Sequence, residues 1–337
     1  MDVAVSDEVR AALKARRPVV ALESSVLAQG LPFPDNLRAQ RACEAAVRLA
    51  GAVPALVAVV GGRVRCGLSA SEVELLANGQ LVARKVGARD LAPAVAAGLS
   101  GGTTVSATCA VAKALGIPIF STGGIGGVHP GGRGDVSEDL LALSRFPGLV
   151  VCAGAKSMLD LPRTLEALES LGILVVGYRT AEFPAFYTPH SGLALSHRVD
   201  DAAGAAELLR IHRDQLGQPG ALLLANPPPK GVALGQSELE AALQSAQGNA
   251  AQQGVSGQAL TPFLLKELVR LTDGRTLRAN VALLESNARL AAEVARAYRE
   301  ATGGKPAPGR ASSASKRLPR REPASEGQTR PLRRKGR

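Results

Sequence analysis

Short apolar runs alternate with longer amphipathic segments along most of this chain. Each apolar run is bounded by Gly and Pro and is rich in Val, Ile, Leu and Ala, without the alternation of a half-exposed strand. Seven of these runs predict β-strands, at residues 18–23, 54–60, 81–85, 117–121, 148–154, 173–178 and 220–226. Near-continuous apolar strands are typical of a parallel sheet that is covered on both faces.

The amphipathic segments between these strands predict helices, at residues 35–50, 69–77, 90–99, 106–115, 137–146, 158–171 and 200–215. Ser69 and Glu72 have the spacing of a capping box. Gly51, Gly116 and Gly172 follow helical segments, where a left-handed cap would fit. The alternation predicts an α/β fold, specifically a three-layer α/β/α sandwich with a mostly parallel central sheet.

The pattern changes after about residue 228. NPPPK (226–230) interrupts the alternation, and three helices are predicted in QSELEAALQSAQGNAAQQG, TPFLLKELVRLT and RANVALLESNARLAAEVARAYREA. These C-terminal helices either cover the sheet or form a contact between subunits. No internal repeat is visible, so we expect residues 1–303 to form one domain.

The positive charge of the chain is concentrated at its C-terminal end. The 337 residues contain 40 Lys and Arg against 29 Asp and Glu, a net charge of +11. Residues 305–337 hold eleven basic and two acidic side chains, or +9, so the remainder is nearly neutral. Because this end is also rich in Pro, Ser and Gly and poor in apolar residues, we predict a disordered basic tail over 304–337.

Composition excludes several classes of protein. An apolar content of 46% excludes wholesale disorder, and 3% aromatic residues without Trp argue against a single-stranded nucleic-acid groove. The four cysteines have no CxxC spacing, which disfavours a zinc site or a disulfide framework. No apolar run reaches membrane-spanning length, and the N-terminal segment does not resemble a secretory signal. We therefore expect a cytoplasmic protein.

Candidate chemistry follows several of the predicted strands, at the edge where open α/β sheets bind ligands. Glu23 ends the first strand and Lys85 the third, while Lys156 follows the run ending at 154. Lys156 lies among small apolar residues, so it is either a partly desolvated amine nucleophile or an ordinary surface lysine. Burial of Glu23 would raise its pKa and suit it to general-acid catalysis, although it could equally cap the following turn.

The remaining candidates lie in loops and at helix starts. The glycine-rich segment from Thr122 to His129 could cradle an anion or simply be a mobile loop. Asp135 could be a hard oxygen ligand for Mg²⁺ or Mn²⁺, or belong with the acids that follow Ser137, a natural N-cap. Thr103 and Thr104 either bind phosphate at the start of a helix or cap that helix.

Long strings of the chain resemble pseudouridine-5′-phosphate glycosidases over about residues 8–300. The resemblance is carried by ALESSVLAQGLPFPDNL (21–37), RKVGARDL (84–91), GGTTVSATCAVAKALGIPIFSTGGIGGVHPG (101–131), DVSEDLLAL (135–143), VVCAGAKSMLDLPRTLEALESLGI (150–173), LANPPP (224–229), TPFLL (261–265) and NVALLESNARLAAEVA (280–295). It implies an α/β/α enzyme that forms homotrimers, uses Mn²⁺ and interconverts pseudouridine 5′-phosphate with uracil and ribose 5-phosphate.

The resemblance also implies roles for single residues. Lys156 matches the nucleophile that forms a Schiff base with the ribose, Glu23 the proton donor and Asp135 the metal ligand. The positions implied to contact substrate are Lys85, Val105, Ser137, Glu138 and Asp139, with Thr104, Thr122 and His129 near the phosphate. Since the carbon–carbon glycosidic bond has no leaving heteroatom, an amine that forms an iminium and an acid that protonates carbon five suit this reaction.

Two features lie outside the resemblance and leave alternatives open. His190 replaces an expected small or polar residue in RTAEFPAFYTPHSG (179–192), so the nucleobase could differ, as in the indigoidine-pathway relatives of the family. A Phe or Tyr near 183–187 could contact the base. The basic tail could bind RNA or a membrane nonspecifically, which would make the chain a binding protein rather than an enzyme.

Overall fold

A single mixed sheet with a parallel centre organises the protein. The computed structural model describes residues 1–131, 134–255 and 260–303. Its strands are β1 (Ala4–Val5), β2 (Val19–Leu22), β3 (Val53–Val60), β4 (Arg63–Cys66), β5 (Ala83–Val86), β6 (Ser100–Thr103), β7 (Ile119–Ser121), β8 (Leu149–Cys152), β9 (Leu174–Tyr178), β10 (Arg198–Val199) and β11 (Leu222–Ala225). The order along the sheet is β1-β4-β3-β2-β7-β8-β11-β9-β10, and β6 joins β3 to β5.

The direction of pairing divides the sheet into two parts. From β3 through β2, β7, β8, β11 and β9 to β10, every neighbouring pair is parallel. The second half of β3 instead pairs antiparallel with β4 and with β6. The parallel part therefore gathers the carboxyl ends of β2, β7 and β8 along one edge.

Helices cover both faces of this sheet. They are α1 (Asp7–Lys14), α2 (Asp35–Leu49), α3 (Ala70–Ala77), α4 (Leu91–Ala96), α5 (Val105–Leu115), α6 (Glu138–Leu143), α7 (Leu161–Ser170), α8 (Ala202–Leu209), α9 (Gln236–Gln252), α10 (Leu260–Leu271) and α11 (Arg275–Ala301). Successive residues of β2 enter opposite cores: Val20 and Leu22 pack with α2, α3 and α8–α11, whereas Val19 and Ala21 pack with α1 and α4–α7. The predicted α/β/α sandwich is confirmed.

Local signals in the sequence mark real element boundaries. The Ser69 hydroxyl accepts from the Glu72 amide while the Glu72 carboxylate accepts from the Ser69 amide, which completes the predicted capping box. Gly51, Gly116 and Gly172 all adopt positive φ after their helices, as predicted. All seven predicted strands are present.

Several short elements were not predicted from the pattern of apolar and polar residues. Helix α1 begins at the N-cap Ser6, and β1 and β10 have only two residues each. Strand β4 alternates Arg with apolar residues, and β6 is the sequence SGGT. Glycine is required within β6 because a Cβ on Gly102 would lie 2.6 Å from the Ser24 carbonyl oxygen. Neither the alternation in β4 nor the glycine-rich sequence of β6 is the continuous apolar run that identifies the central strands.

The C-terminal helices cover one face of the sheet. Helix α11 lies against α2, α8 and the strands β2, β7 and β8. Helices α9 and α10 pack against each other, and α10 also contacts α11. In the described part of the chain, no helix is long and apolar enough to cross a membrane. The predicted basic tail, 304–337, lies outside the described residues.

Candidate active site

A cavity of about 440 Å³ opens where the predicted chemistry converges. Its walls contain the candidate residues Glu23, Lys85, Thr104, Val105, His129, Asp135, Ser137, Glu138, Asp139 and Lys156. Glu23 follows β2 directly, and Thr104 follows β6. Lys85 lies within β5 rather than after it, because that strand extends to Val86. Thr122 follows β7 and lies against Glu23 rather than in the cavity wall.

Glu23 is a buried carboxyl group held by two hydroxyls. The Ser25 Oγ donates to its Oε2 at 2.6 Å, and the Thr122 Oγ1 donates to its Oε1. Burial raises the pKa of Glu23, although the positive charge of Lys156 and both hydroxyls act in the opposite direction. This confirms the predicted raised pKa and gives a group that can hold a proton for transfer.

Two lysines share the cavity with Glu23. Lys156 reaches it because Gly154, at a positive φ of 82°, turns the chain after β8, and the Lys156 amide then donates to the Ile125 carbonyl at 3.1 Å. Lys85 retains contact with solvent, yet desolvation and the neighbouring Lys156 charge lower the pKa of its ammonium group. The positive charges of these two lysines favour binding of a phosphorylated substrate.

The glycine-rich loop after β7 is packed rather than open. A Cβ on Gly124 would lie 2.5 Å from a ring carbon of Phe186 and 3.0 Å from the Gly154 carbonyl oxygen. The amides of Ile125, Gly126 and Val128 donate to protein acceptors. These glycines therefore allow close approach of neighbouring chain segments, and Gly123, Gly124 and Gly126 form part of the cavity wall.

The start of α6 connects that loop to α5. Ser137 is the N-cap, as predicted, and its hydroxyl accepts from the Asp139 amide. The buried Asp139 accepts from the Ser106 amide at 3.0 Å and the Gly126 amide at 2.9 Å. Glu138 accepts from the Arg89 amide and the Ser106 hydroxyl. The two acids thus fix the cavity wall while remaining part of its lining.

Comparison with known proteins places this architecture in a family. Residues 8–297 match the family model described as indigoidine synthase A like protein. A pseudouridine-5′-phosphate glycosidase from Myxococcus xanthus is 52% identical over 304 residues, covering 90% of this chain and 100% of the relative. The Chloroflexus aurantiacus protein of the same name is 50% identical, covering 86% of this chain and 97% of the relative. The chain belongs to the pseudouridine-5′-phosphate glycosidase family.

Solved structures support the same family. The structure of the prealnumycin C-glycosynthase AlnA in complex with ribulose 5-phosphate has a TM-score of 0.82 and 39% identity, covering 90% of this chain and 99% of that one. An indigoidine synthase A-like protein from Thermotoga maritima has a TM-score of 0.79 and 36% identity, covering 87% and 95% of the two chains. The resemblance inferred from the sequence strings is thereby confirmed.

The family motif NVALLESN contributes a residue that residue-by-residue reasoning missed. Asn280 on α11 lines the cavity and is only 4% exposed. Its Oδ1 has no hydrogen-bond partner within the described residues. A buried carbonyl oxygen without a donor is costly, so this atom is a candidate acceptor for a substrate N–H or O–H group.

Other cavity residues come from segments without a predicted role. Phe186 lines the cavity at a positive φ of 63°, within the 183–187 segment predicted to contain an aromatic contact. Leu265 and Pro262 of α10 add an apolar patch. His190 does not line the cavity: its side chain is 71% exposed and lies 2.9 Å from Glu182. The departure at His190 therefore leaves the described cavity wall unchanged.

Several carboxylates line the cavity, but within the described residues they are not arranged as a closed set of metal ligands. Asp135 and His129 both face the cavity, and the His129 amide donates to the Asp135 carbonyl at 2.9 Å. Within the described residues, no group of three or more His, Cys, Asp and Glu is placed to hold a metal ion. Mg²⁺ and similar ions accept one carboxylate with water or substrate oxygens completing the shell, so Asp135 fits a cation held together with substrate.

Proposed function

We propose that this protein is a pseudouridine-5′-phosphate glycosidase that reversibly cleaves the carbon–carbon bond between uracil and ribose 5-phosphate. The observation that carries the proposal is the meeting of a buried carboxyl group, Glu23, with two lysines in one cavity. The curated relatives of this name, at about half identity over nearly their whole length, support the same reaction.

The proposed cleavage begins at Lys156. Its neutral amine adds to C1′ of the ribose as the C1′–O4′ bond breaks, and the proton that the new ammonium nitrogen loses passes to O4′. Glu23 then donates its proton to carbon five of uracil as the C1′–C5 bond breaks, and the lone pair on the Lys156 nitrogen forms the iminium. Water hydrolyses this Schiff base, which releases ribose 5-phosphate and regenerates the amine.

Other residues bind and orient the substrate in this proposal. Lys85 and the start of α5, where Thr104 and Val105 line the cavity, would hold the phosphate. Asn280 offers its unpaired oxygen to an N–H group of uracil, and Phe186 provides an apolar contact. Asp135 would hold Mn²⁺, which when bound would neutralise part of the negative charge of the substrate.

A direct assay tests the function. Purified protein with uracil, ribose 5-phosphate and Mn²⁺ should form pseudouridine 5′-phosphate, and pseudouridine 5′-phosphate alone should yield uracil. Borohydride added during turnover should attach a reduced ribose phosphate to Lys156, detectable by peptide mass spectrometry. Absence of both product and adduct would reject the proposal.

Three further parts of the proposal come from the resemblance and the composition. The metal is Mn²⁺, the assembly is a homotrimer and the location is cytoplasmic. Titration of metal-free protein with Mn²⁺ and Mg²⁺ during turnover tests the first, and analytical ultracentrifugation tests the second.

An alternative is a C-glycosidase that acts on a different base. The structural likeness to a C-glycosynthase favours testing it. Parallel assays with several pyrimidine C-nucleotides decide between them, since a strong preference for a base other than uracil would transfer the proposal to that substrate.

The basic segment 304–337 can be tested by deletion. If the shortened protein keeps glycosidase activity but loses RNA binding, the tail is an accessory to the enzyme.

A further inference from the structure

The carboxyl group of Glu23 has a separate hydroxyl donor on each oxygen. Ser25 lies two residues along the same chain and donates to Oε2 at 2.6 Å. Thr122 comes from the neighbouring strand and donates to Oε1. Strands β2 and β7 are parallel, and Leu22 lies opposite Ser121. The residues that follow these two are Glu23 and Thr122. The pairing of strands therefore brings this hydroxyl to the carboxyl group.

The main chain around both partners is held from several directions. The Thr122 amide donates to the Val151 carbonyl at 3.0 Å, and its carbonyl accepts from the Asn287 Nδ2 at 2.9 Å. The Ser24 hydroxyl donates to the Val57 carbonyl at 2.6 Å. Thr122 is 1% exposed, so its hydroxyl has little freedom to serve another acceptor. This arrangement does not suit the phosphate contact implied for Thr122 by the resemblance.

We propose that Thr122 and Ser25 are a positioning pair that orients Glu23 and stabilises the carboxylate formed when Glu23 gives its proton to uracil. The inference rests on the proposed function. In the proton-transfer step, the Glu23 O–H bond breaks, a C–H bond forms at carbon five, and both hydroxyls remain donors to the new anion. Hydrogen bonds to a charged acceptor are stronger than those between neutral groups, and a buried anion without them is costly.

Four other titratable groups surround Glu23, and they bear on the expected pH effect. Lys156, Lys85, Asp139 and the buried thiol of Cys109 all interact electrostatically with it. These groups are unchanged when only a hydroxyl is removed. Because both hydroxyls favour the ionised carboxylate, removing one should raise the pKa of Glu23 further.

The decisive variant is Thr122→Val, which keeps the side-chain shape and removes the hydroxyl. We expect kcat for cleavage of pseudouridine 5′-phosphate to fall about 10- to 100-fold, the range of a hydrogen bond to a charged group. KM should stay within about twofold. The alkaline limb of the kcat profile should move to higher pH, and Thr122→Ser should restore most of kcat. Ser25 is less buried than Thr122, and Ser25→Ala should change kcat and the pH profile in the same directions.

Two controls separate this role from a structural one. Thr272→Val removes the hydroxyl of another buried threonine, between α10 and α11, and should cost stability without changing the pH profile. The Glu23 carboxyl can also be titrated in the substrate-free protein by infrared difference spectroscopy, with Glu23→Gln identifying its band. That measurement should show a higher pKa in Thr122→Val than in the wild type.

The outcomes distinguish this inference from the proposed function. Wild-type protein without glycosidase activity would reject the function, and the infrared titration would still test the effect of the pair on Glu23. An active wild type with unchanged kcat and an unchanged Glu23 titration in Thr122→Val would overturn the inference. A rise in KM alone would instead support the phosphate role implied for Thr122.

Discussion

The cavity has two walls that are built differently. One wall consists of strand ends and the turns after them, and we call it the strand wall; it carries Glu23, Thr104 and Lys156. A second wall, here the helical wall, consists of α10 and α11 and carries Pro262, Leu265 and Asn280. The strand wall holds ionisable groups, whereas these residues of the helical wall are apolar or neutral.

This difference follows from how each wall is supported. Main-chain pairing fixes the strand wall, since β2, β7 and β8 are hydrogen-bonded neighbours. The helical wall is positioned mainly by side-chain packing of α11 on the sheet and of α10 on α9 and α11. A proton or an amine must be held within a fraction of an ångström of its target, while an apolar or amide contact tolerates more adjustment. We therefore expect substitutions in the strand wall to have the larger effects on catalysis.

The largest effect should come from Lys156→Ala. Loss of the nucleophile should lower kcat by about 10⁴-fold or more, as for other covalent catalysts, and no borohydride adduct should form. Lys266→Ala makes the same change on the exposed side of α10 and should retain wild-type activity. Substantial turnover by Lys156→Ala would show that the amine does not form a covalent intermediate.

Glu23→Gln should have the second largest effect. Removing the proton donor should lower kcat by about 10²- to 10⁴-fold. Lys156 remains intact, so when ribose 5-phosphate is supplied in place of pseudouridine 5′-phosphate, borohydride should still trap it on Lys156 in this variant. An equal loss of trapping and turnover would mean that Glu23 positions the lysine rather than transferring the proton.

The strand wall could be predicted from the sequence for a physical reason. An apolar run such as GLVVCAG indicates a strand covered on both faces, and the residue after a parallel strand must lie at the ligand-binding edge. Glu23 and Lys156 follow directly from that rule, and the raised pKa of Glu23 follows from its burial.

The partners of these groups could not be predicted in the same way. Thr122 lies 99 residues from Glu23, and only the register of β2 with β7 brings the two together. Asn280 lies on a long amphipathic helix whose polar residues look alike in sequence, and docking of α11 against the sheet decides which one enters the cavity. The glycines after β7 resembled an anion loop, whereas their packing against Phe186 and other segments becomes visible only in three dimensions.

Asn280→Ala tests the polar contact of the helical wall. Since its buried oxygen has no partner among the described residues, we expect it to accept from the substrate, and its loss should lower kcat/KM by about 5- to 100-fold. Asn249→Ala is a matched control, because Asn249 pairs with Glu267 between α9 and α10 and does not line the cavity. Equal activity of the two variants would remove Asn280 from substrate recognition.

Leu265→Ala tests the apolar part of the same wall. Truncation should enlarge the cavity and raise KM a few-fold, since burial of a few methyl groups contributes about 1–3 kcal/mol at most. Leu243→Ala makes the same truncation within the α9–α10 pair but away from the cavity. If both variants raise KM equally, the effect arises from packing of the helix pair rather than from contact with substrate.

The smallest effect concerns stability and returns to the strand wall. Burial raises the pKa of Glu23 above its ordinary 4.5, so the folded protein binds this proton more tightly than the unfolded chain does. Stability should therefore fall as pH rises from 4.5 through the higher folded value, and Glu23→Gln removes this loss. The melting temperature of Glu23→Gln relative to wild type should increase by a few degrees between pH 4 and pH 8, as followed by circular dichroism.

Glu74→Gln, which changes an exposed ion pair with Arg41, should not show this increase. Parallel curves for wild type and Glu23→Gln would mean that the ionised carboxylate is as well stabilised inside the strand wall as it is in water.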